Sequence, residues 1–258
     1  MVASERAVLF DFFGTLTHAC VRGRGHERVA RILGCPLPDL VAVLDASFYP
    51  RSRGAFGGPI NTLRWIAEQL GLRVSDARLR AAHQARIVAL RDDTVIRAEA
   101  APALRLLRSA GYKIAVVSDC GYELPEILPM LPIGRLVDTA IYSVHMGVCK
   151  PHPDMYQAAF AALWADPRRS VYIGDGGSRE LTGATSFGVN AIRLGAPDLA
   201  GHLVFRSDEE FRGPVAMSLT DIATGIVHAG STASYVEELS GPPVALLDGL
   251  DPVPAGVR

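Results

Sequence analysis

The chain has 258 residues, of which 49% are hydrophobic and 21% are charged, a composition typical of globular proteins. Lysine and arginine number 26 and aspartate and glutamate 27, so the formal net charge of −1 provides no field for binding nucleic acid or an anionic membrane. No apolar stretch approaches the roughly 20 residues that a membrane helix needs, so we expect neither a nucleic-acid nor a membrane partner.

The cysteines and the N-terminal segment predict the cellular compartment of the protein. Cys20, Cys35, Cys120 and Cys149 form no C-x-x-C pair, and their spacing indicates neither a zinc site nor a disulfide framework. Reduced thiols in a cytoplasmic compartment are the expected state. The few apolar residues before Asp11 are too short for a signal peptide, so we expect a cytoplasmic protein.

Short apolar runs in chain order predict the strands of one sheet. They cover residues 7–12, 113–117, 170–173 and 189–194, with a weaker run at 139–143. Each is almost entirely apolar, as expected for strands that are covered on both faces of a parallel sheet. Helical segments are predicted at 98–110, 153–164 and 178–187. Strands that alternate with helices predict an α/β fold with a Rossmann-like parallel sheet.

The segment between the first two strands is too long for a simple crossover. It reads as helices at residues 26–33, 38–48, 59–70 and 76–90, joined by proline, glycine and arginine. We therefore predict a core domain of residues 1–16 and 98–225 with an inserted α-helical cap of residues 17–97. Serine, glycine and proline dominate the end of the chain, which predicts a loosely ordered tail at 226–258.

Polar residues stand where the predicted strands end. Asp11 ends the first strand, Ser118 the second and Asp175 a later one, while Lys150 precedes a predicted helix. Because ligands of open α/β sheets bind at the carboxyl ends of the strands, we expect these side chains to converge on one crevice. Two carboxylates that lie close together repel each other unless a cation joins them, and Mg²⁺ is a suitable ion.

This constellation suits the cleavage of a phosphate ester. Asp11 is a candidate nucleophile that would form an aspartyl-phosphate, with Ser118 and Lys150 orienting the phosphate oxygens. Gly14 and Thr15 would turn the chain tightly and offer backbone N–H groups to the anion.

Four segments carry a resemblance to a known family. The stretches DFFGTLT, VVSDCG, GVCKPHPDMY and YIGDGGSRELTGA resemble, in order and spacing, the four motifs of the haloacid dehalogenase superfamily. The helical insert resembles the cap of the subfamily I members. The resemblance implies a Rossmann-like core with a mobile cap that closes over the site.

The resemblance also implies roles for individual residues. In the family's phosphatases, the residue matching Asp11 is the nucleophile and a metal ligand, and those matching Ser118 and Lys150 bind phosphate. The match to Asp175 holds Mg²⁺, and a further acid, here Glu180, supports the metal through water. The predicted sets are therefore catalytic Asp11, Ser118 and Lys150; substrate-binding Gly14, Thr15, Ser118, Asp119 and Lys150; and metal-binding Asp11, the Phe13 carbonyl, Asp175 and Glu180.

Phe13 departs from the phosphatase pattern. That position is usually a second aspartate, which protonates the leaving alcohol and later activates water. General acid–base help is typically worth ~10²–10⁴-fold, so Phe13 implies a slow phosphatase unless another residue substitutes. His18, Cys20 and a cap residue are the candidate substitutes.

Phe13 also raises alternatives to phosphatase activity. L-2-haloacid dehalogenases resemble this pattern with an aromatic residue at that position, since a halide leaves without a proton. However, those enzymes need no metal, lack the Gly-Asp pair of the fourth motif, and carry a halide-binding asparagine where this chain has Asp119. The sequence therefore favours a phosphatase for a small phosphomonoester, with a dehalogenase-like hydrolase or a catalytically weak binding or regulatory module as the alternatives.

Other conspicuous residues receive structural interpretations. The basic cluster Arg22, Arg24, His26 and Arg28 is expected on a solvated face of the cap, with contact to an anionic substrate as the alternative. Trp65 and Trp164 are expected to pack, and Cys120 and Cys149 to act as small fillers. Neither the substrate nor the oligomeric state follows from the sequence.

Overall fold

Six parallel strands form one sheet in the computed structural model, which describes residues 5–202 and 205–241. The strands are β1 Arg6–Phe10, β2 Tyr112–Ser118, β3 Thr139–Tyr142, β4 Val171–Gly174, β5 Asn190–Leu194 and β6 Val215–Ala216. Their order across the sheet is β3-β2-β1-β4-β5-β6, so β1 lies in the middle between β2 and β4. The predicted α/β fold with a parallel sheet is confirmed, and only the two-residue β6 was not predicted.

Helices make up the insert between β1 and β2. They are α1 Gly25–Leu33, α2 Leu37–Ala46, α3 Phe48–Ser52, α4 Pro59–Gln69 and α5 Asp76–Asp93. Buried Leu33, Leu40, Ile66 and Leu79 belong to a hydrophobic cluster of the insert alone, so the insert packs on itself. The helix predicted at 38–48 is divided between α2 and α3, because Pro50 has no N–H to continue the hydrogen-bond ladder.

The insert joins the core through two adjacent linkers. His18 N donates to Val95 O at 2.8 Å and Arg97 N to Leu16 O at 3.0 Å, and Thr17 forms an antiparallel bridge with Ile96. These linkers meet at residues 16–18 and 95–97, and the cap limits of 17–97 stay a prediction.

The remaining helices follow β2 and cover the sheet. They are α6 Ala100–Ser109, α7 Glu123–Ile127, α8 Ser143–Met146, α9 Pro153–Leu163, α10 Glu180–Phe187, α11 Leu219–His228 and α12 Thr232–Ser240. The helix predicted from residue 178 begins as α10 at Glu180, because Ser178 and Arg179 both have a φ of 55°. Among the described helices, none is both long and apolar enough to span a bilayer.

The two faces of the sheet have separate hydrophobic cores. Val8 and Phe10 of β1 belong to one cluster with residues of α6 and α11, and Ala7 and Leu9 belong to another with residues of α9 and α10. Successive side chains of a strand point to opposite faces, so every residue of β1 after Arg6 is buried. This explains why the strand runs are apolar throughout.

The end of the chain differs from its prediction. The tail was expected to be loosely ordered from residue 226, but α12 packs on the core through Tyr235, which is 7% exposed and donates to Asp221 O at 3.1 Å. Ser231, counted as a sign of disorder, caps α12 by accepting from Ser234 N. The prediction is wrong for residues 226–240, and residues 242–258 lie outside the described residues.

The two tryptophans have different environments. Trp65 packs as predicted, with its ring stacked on Phe56 at a centroid distance of 3.9 Å. Trp164 is 83% exposed, so its predicted packing role is wrong. It ends α9 with a φ of 53°, a left-handed conformation that turns the chain away from the helix axis.

Candidate active site

The loop after β1 places Asp11 at the carboxyl edge of the sheet. Asp11 N donates to Ile173 O at 2.9 Å, a hydrogen bond that ties the end of β1 to β4. Asp11 is 5% exposed. Gly14 then turns the chain with a φ of 81°. A Cβ at Gly14 would lie 2.7 Å from His202 Nε2 and 2.8 Å from Asp175 Oδ2, so only glycine fits this loop without displacing its neighbours.

The polar groups of the loop that follows Asp11 form hydrogen bonds within the protein. Gly14 N, which was predicted to face an anion, donates instead to Thr17 Oγ1 at 3.0 Å. The Thr15 hydroxyl lies 3.4 Å from Asp11 Oδ2 and is fully buried. Gly14 and Thr15 therefore shape and support the loop that carries Asp11, and their predicted contact with substrate stays a prediction.

Arg97 supports the same loop from the linker that leaves the insert. Its Nε and Nη2 donate to Thr15 O and Gly14 O, both at 3.0 Å, and its Nη1 donates to Asp198 at 2.8 Å. The side chain is 4% exposed. Sequence reasoning missed Arg97, because no motif surrounds it and its partners lie in distant segments.

Three carboxylates meet at this edge of the sheet. Asp11, Asp175 and Glu180 each present an oxygen within 4.8 Å of the others, from the ends of β1 and β4 and the first turn of α10. Backbone N–H groups hold two of them: Gly177 N donates to Asp175 Oδ1 at 2.9 Å and Gly176 N to Glu180 Oε1 at 3.0 Å. The predicted convergence of the strand-end acids is thus present.

Lys150 lies inside the acidic cluster. Its Nζ is 2.5 Å from Asp11 Oδ1 and 2.5 Å from Glu180 Oε2, and the side chain is 3% exposed. Its backbone N donates to Asp119 Oδ1 at 3.0 Å. The Tyr172 hydroxyl, which the sequence presented as an ordinary strand residue, donates to Glu180 Oε2 at 2.7 Å. Lys150 and Tyr172 therefore position Glu180, and the Lys150 ammonium neutralises part of the cluster's negative charge.

The electrostatics of the cluster show an excess of negative charge. Burial, reinforced by neighbouring carboxylates, raises the pKa of Asp11 to about 7 and that of Asp175 to about 6. Burial likewise raises the pKa of Glu180 to about 7. Burial disfavours the Lys150 ammonium, but Asp11 and Glu180 outweigh it and raise the Lys150 pKa well above its usual value. One cation therefore faces three acids.

The donor set fits a divalent cation. Both oxygens of Glu180 are engaged, by Gly176 N on one side and by Lys150 and Tyr172 on the other. Within the described part of the chain, Asp11 Oδ2 has only the long contact with Thr15, and Asp175 Oδ2 faces His202 Nε2 at 3.3 Å. Asp11 and Asp175 therefore each keep a carboxylate oxygen for a hard cation such as Mg²⁺. Glu180 and the Phe13 carbonyl stay predicted contributors.

Ser118 and Asp119 follow one another at the end of β2 but face different surroundings. Ser118 is fully buried, and its hydroxyl has no hydrogen-bond partner among the described residues. Asp119 lines the cavity beside the acidic cluster, and burial raises its pKa. The orphan hydroxyl of Ser118 is compatible with its predicted role toward a phosphate oxygen, which stays a prediction.

A cavity of about 210 Å³ lies between the acidic cluster and the insert. Apolar side chains on its wall are Phe13, Leu44, Phe48, Leu90 and Phe205, and basic ones are Arg22, His26, Arg51, Arg86 and His202. Phe48 of α3 stacks on Phe205 of the core with ring centroids 4.1 Å apart, so the insert closes over the site. The cavity therefore has an acidic floor from the core and a mixed apolar and basic wall from the insert.

Two residues of the predicted basic cluster lie on the surface of the insert, and the other two line the cavity. Arg24 and Arg28 are exposed, as predicted for a solvated face. Arg22 and His26 line the cavity, and each faces a carboxylate of the insert, Asp45 and Asp93 respectively. Arg51 and Arg86, which the sequence did not single out, join them on this wall.

The candidates for the missing proton donor also differ in position. His18 pairs with Asp198 at 3.0 Å and is 46% exposed, outside the cavity wall. Cys20 lines the cavity, but burial raises the pKa of its thiol to about 12. His202, which sequence reasoning missed, lies beside Asp175, and its Nδ1 accepts from Cys20 N at 3.0 Å.

Comparison with known proteins gives a consistent family. The sequence model of the haloacid dehalogenase-like hydrolases matches residues 5–188. A curated (S)-2-haloacid dehalogenase 4A from Burkholderia cepacia is 27% identical over 197 residues, 75% of this chain and 84% of that protein. A glyceraldehyde 3-phosphate phosphatase from Methanopyrus kandleri is 32% identical over 94 residues, 36% of this chain and 40% of that protein.

Solved structures share the fold. A 2-haloacid dehalogenase from Pseudomonas syringae pv. Tomato DC3000 superposes with a TM-score of 0.65 at 19% identity, covering 88% of this chain and 99% of that one. A haloacid dehalogenase family enzyme from Bacteroides thetaiotaomicron, in complex with magnesium and inorganic phosphate, gives 0.57 at 20% identity, covering 76% of this chain and 96% of that one. With its four motifs, its parallel sheet and the family match over most of its length, this chain belongs to the haloacid dehalogenase-like hydrolases.

Proposed function

We propose that this hydrolase is a magnesium-dependent phosphatase that acts on a small phosphomonoester through an aspartyl-phosphate on Asp11. The observation that carries the proposal is the charge of the buried cluster, where Asp11, Asp175 and Glu180 face Lys150 as their one ammonium partner among the described residues. Burial of three carboxylates with a single ammonium leaves two negative charges uncompensated, which is costly. One divalent cation would neutralise them and would offer the site a ligand position for a phosphate oxygen.

The chemistry of the proposed reaction has two displacements. In the first, an Asp11 carboxylate oxygen attacks phosphorus, the ester P–O bond breaks, and the leaving alkoxide takes a proton from water. In the second, water attacks phosphorus, the bond to Asp11 breaks, and inorganic phosphate leaves as the carboxylate is regenerated. Lys150 neutralises negative charge on Asp11 and on the incoming phosphate. Mg²⁺ held by Asp11 and Asp175 would supply charge neutralisation to phosphate oxygens.

Phe13 sets the expected substrate range. Its ring lines the cavity two residues after Asp11, where a proton donor to the leaving group is expected in the family's phosphatases. Without that donor, the alkoxide must leave with little protonation, so esters of acidic alcohols react faster than esters of simple alcohols. The proposal therefore includes a slow enzyme with a strong dependence of rate on the leaving group.

Two relatives support phosphate chemistry in this fold. The Methanopyrus kandleri protein is a phosphatase by name, and the Bacteroides thetaiotaomicron structure holds magnesium and inorganic phosphate. Neither matches this chain closely enough to transfer a substrate, so the substrate class of the proposal rests on the site.

Phosphate release from a panel of esters, measured with Mg²⁺ and after its removal by a chelator, tests the proposal. Asp11→Asn should abolish release and Asp175→Asn should raise the Mg²⁺ concentration needed for half-maximal rate. Asp92→Asn, on an exposed side chain of α5, is the matched control and should leave both unchanged. Release that persists in Asp11→Asn or without metal would refute the assignment.

A dehalogenase is the second candidate, favoured by Phe13 and by the Burkholderia cepacia relative, of which this chain covers 84%. Here an Asp11 oxygen would attack carbon, the carbon–halogen bond would break, and halide would leave without a proton; water would then hydrolyse the ester to a hydroxy acid. Halide release from 2-haloacids in chelator, with no phosphate release from any ester, would replace the phosphatase by this activity. Binding of Mg²⁺ without turnover of either substrate class would indicate the binding or regulatory module.

A further inference from the structure

The insert-side wall of the cavity contains a guanidinium that has no counter-ion of its own among the described residues. Arg51 of α3 is 9% exposed, and its Nε and Nη2 donate to Ser47 Oγ at 3.0 Å and to Leu44 O at 2.7 Å. Both acceptors are neutral, and no described carboxylate lies within ion-pair distance of Arg51. Burial lowers its pKa to about 10, which still leaves it charged near neutral pH.

Arg86 of α5 lines the same wall and is only partly satisfied. Its Nε donates to Glu123 Oε1, while its Nη1 is buried and has no acceptor among the described residues. Burial opposes ionisation of Glu123, but Arg86 and Arg51 hold its pKa at about 2, so this acid is fully ionised. Arg51 and Arg86 therefore share one negative charge between them.

The other basic residues of the wall do not change this balance. Arg22 has Asp45 as its partner, and His26 faces Asp93 with a pKa that burial lowers, so neither adds an unpaired cation to the wall. Within the group of Arg51, Arg86 and Glu123, the two guanidinium groups therefore carry one positive charge more than their shared carboxylate balances. A buried guanidinium with free donors is unfavourable without an anion, and its planar fork suits a carboxylate, which accepts two parallel hydrogen bonds.

We infer that Arg51 and Arg86 form a subsite for a carboxylate on the substrate, so that the substrate is the phosphate ester of a small hydroxy acid. This inference rests on the proposed phosphatase function. The phosphoryl group would lie at Lys150 and the acidic cluster, and the apolar side chains Leu44 and Phe48 would contact the carbon skeleton. A single carboxylate matches the single unbalanced charge, and a cavity of about 210 Å³ suits a compact molecule.

The test compares two phosphonate analogues that differ only in one group, a terminal carboxylate in the first and a primary amide in the second. Binding of each in the presence of Mg²⁺ is measured by titration calorimetry, so the readout does not require turnover. Hydrogen bonds to a charged group are worth about 1.5–3 kcal/mol, which predicts about 10- to 100-fold tighter binding of the carboxylate. Equal binding of the two, or binding of neither, would overturn the inference.

Single substitutions test whether Arg51 and Arg86 cause the preference for the carboxylate. Arg51→Gln should remove most of the preference for the carboxylate, and Arg51→Lys should restore part of it. Arg64→Gln is the matched control, because Arg64 pairs with Asp76 on an exposed face of the insert. A preference that survives Arg51→Gln and Arg86→Lys unchanged would show that other residues bind the carboxylate.

Turnover of nitrophenyl phosphate, which has no carboxylate, separates the two proposals. If the wild-type protein hydrolyses it but shows no preference in the phosphonate pair, the phosphatase stands and the carboxylate subsite fails. If the preference is present and depends on Arg51 while no ester is hydrolysed, the subsite stands and the phosphatase fails.

Discussion

Lys150 Nζ lies 2.5 Å from Asp11 Oδ1, although the two residues are 139 positions apart in sequence. The same ammonium lies 2.5 Å from Glu180 Oε2. The central strand β1 and the loop before α9 thereby bring the proposed nucleophile and its counter-charge together. This pairing keeps Asp11 from being a lone carboxylate between two phenylalanines.

Removal of Lys150 should affect both activity and stability. Lys150→Met leaves Asp11 and Glu180 without their cation, so we expect turnover to fall about 10²–10³-fold and stability to fall by about 3–5 kcal/mol. Steady-state kinetics and urea unfolding measure the two effects. The chain has only one other lysine, Lys113 at the start of β2, and Lys113→Met should change neither. Full activity in a folded Lys150→Met would contradict its role.

The buried acids should make the metal-free protein less stable as pH rises. The pKa values of Asp11, Asp175 and Glu180 are raised to about 7, 6 and 7, above their usual values near 4, so the folded state holds protons that the unfolded state has lost. The free energy of unfolding should therefore fall between about pH 4 and pH 7. Each acid that is protonated in the folded state and ionised in the unfolded state lowers the free energy of unfolding by roughly 1.4 kcal/mol for each pH unit.

Mg²⁺ should reverse this loss. Because the cation favours ionised carboxylates, the gain in melting temperature on adding Mg²⁺ should be larger at pH 8 than at pH 5. Thermal unfolding with Mg²⁺ and with chelator measures it, and Asp175→Asn should reduce both the pH dependence and the gain. A gain that is the same at the two pH values would argue against a metal bound by these acids.

Restoring an acid at position 13 should raise phosphatase turnover. The Phe13 ring lines the cavity two residues after Asp11, so Phe13→Asp introduces a carboxyl group near the leaving oxygen. We expect an increase of up to ~10²-fold for esters of simple alcohols and a smaller one for nitrophenyl phosphate, which needs no proton donor. Phe13→Asn, with the same shape and no acid, is the control. Equal rates for the two variants would mean that another group donates the proton.

Arg97 should position the nucleophile loop. Arg97→Met removes hydrogen bonds to Gly14 O, Thr15 O and Asp198, so we expect a loss of about 2–4 kcal/mol in stability and about a tenfold fall in kcat with a smaller change in KM. Arg105→Met, on an exposed site of α6, is the control. A change in stability with kcat unaltered would reduce Arg97 to a purely structural residue.

A side chain at position 14 should be tolerated poorly. Gly14→Ala combines a φ of 81° with contacts of 2.7 Å to His202 Nε2 and 2.8 Å to Asp175 Oδ2. Gly71 is a matched control, since its φ is 69° and a Cβ there has no neighbour within 4 Å. Gly71→Ala should cost about 1–2 kcal/mol from backbone strain, and Gly14→Ala should cost more.

The double variant separates the two contributions at position 14. In the double variant Gly14→Ala/His202→Ala, the imidazole that crowds the added methyl group is absent. This variant should regain part of the stability that Gly14→Ala loses beyond Gly71→Ala, but only part, because Asp175 still crowds the methyl group. Equal losses for Gly14→Ala and Gly71→Ala would show that the loop rearranges without cost.

The order of apolar runs and polar residues along the chain was enough to locate the sheet and the acids. Strands covered on both faces are apolar throughout, so β1, β2, β4 and β5 could be located from short runs. Because parallel strands end at one edge, Asp11 and Asp175 were expected at the same edge once those strands were assigned. They meet because β1 and β4 are neighbours in the sheet, which the fold decides. Local spacing also predicted α1, α2 and α4 of the insert, since each has a proline or glycine at an end, but it did not separate α3 from α2.

Tertiary packing, in contrast, settles which polar atoms are free and which are used. Arg97 and His202 belong to no recognisable motif, and their partners lie in distant segments. Tyr172 begins the fourth motif, but its hydrogen bond to Glu180 beside Lys150 follows only from the fold. Likewise, Arg51 and Arg86 come to one wall of the cavity only through the packing of α3 and α5 above the core. Hydrogen-bond partners and unbalanced charges depend on how segments that are remote in sequence pack together. The local sequence pattern does not determine this packing.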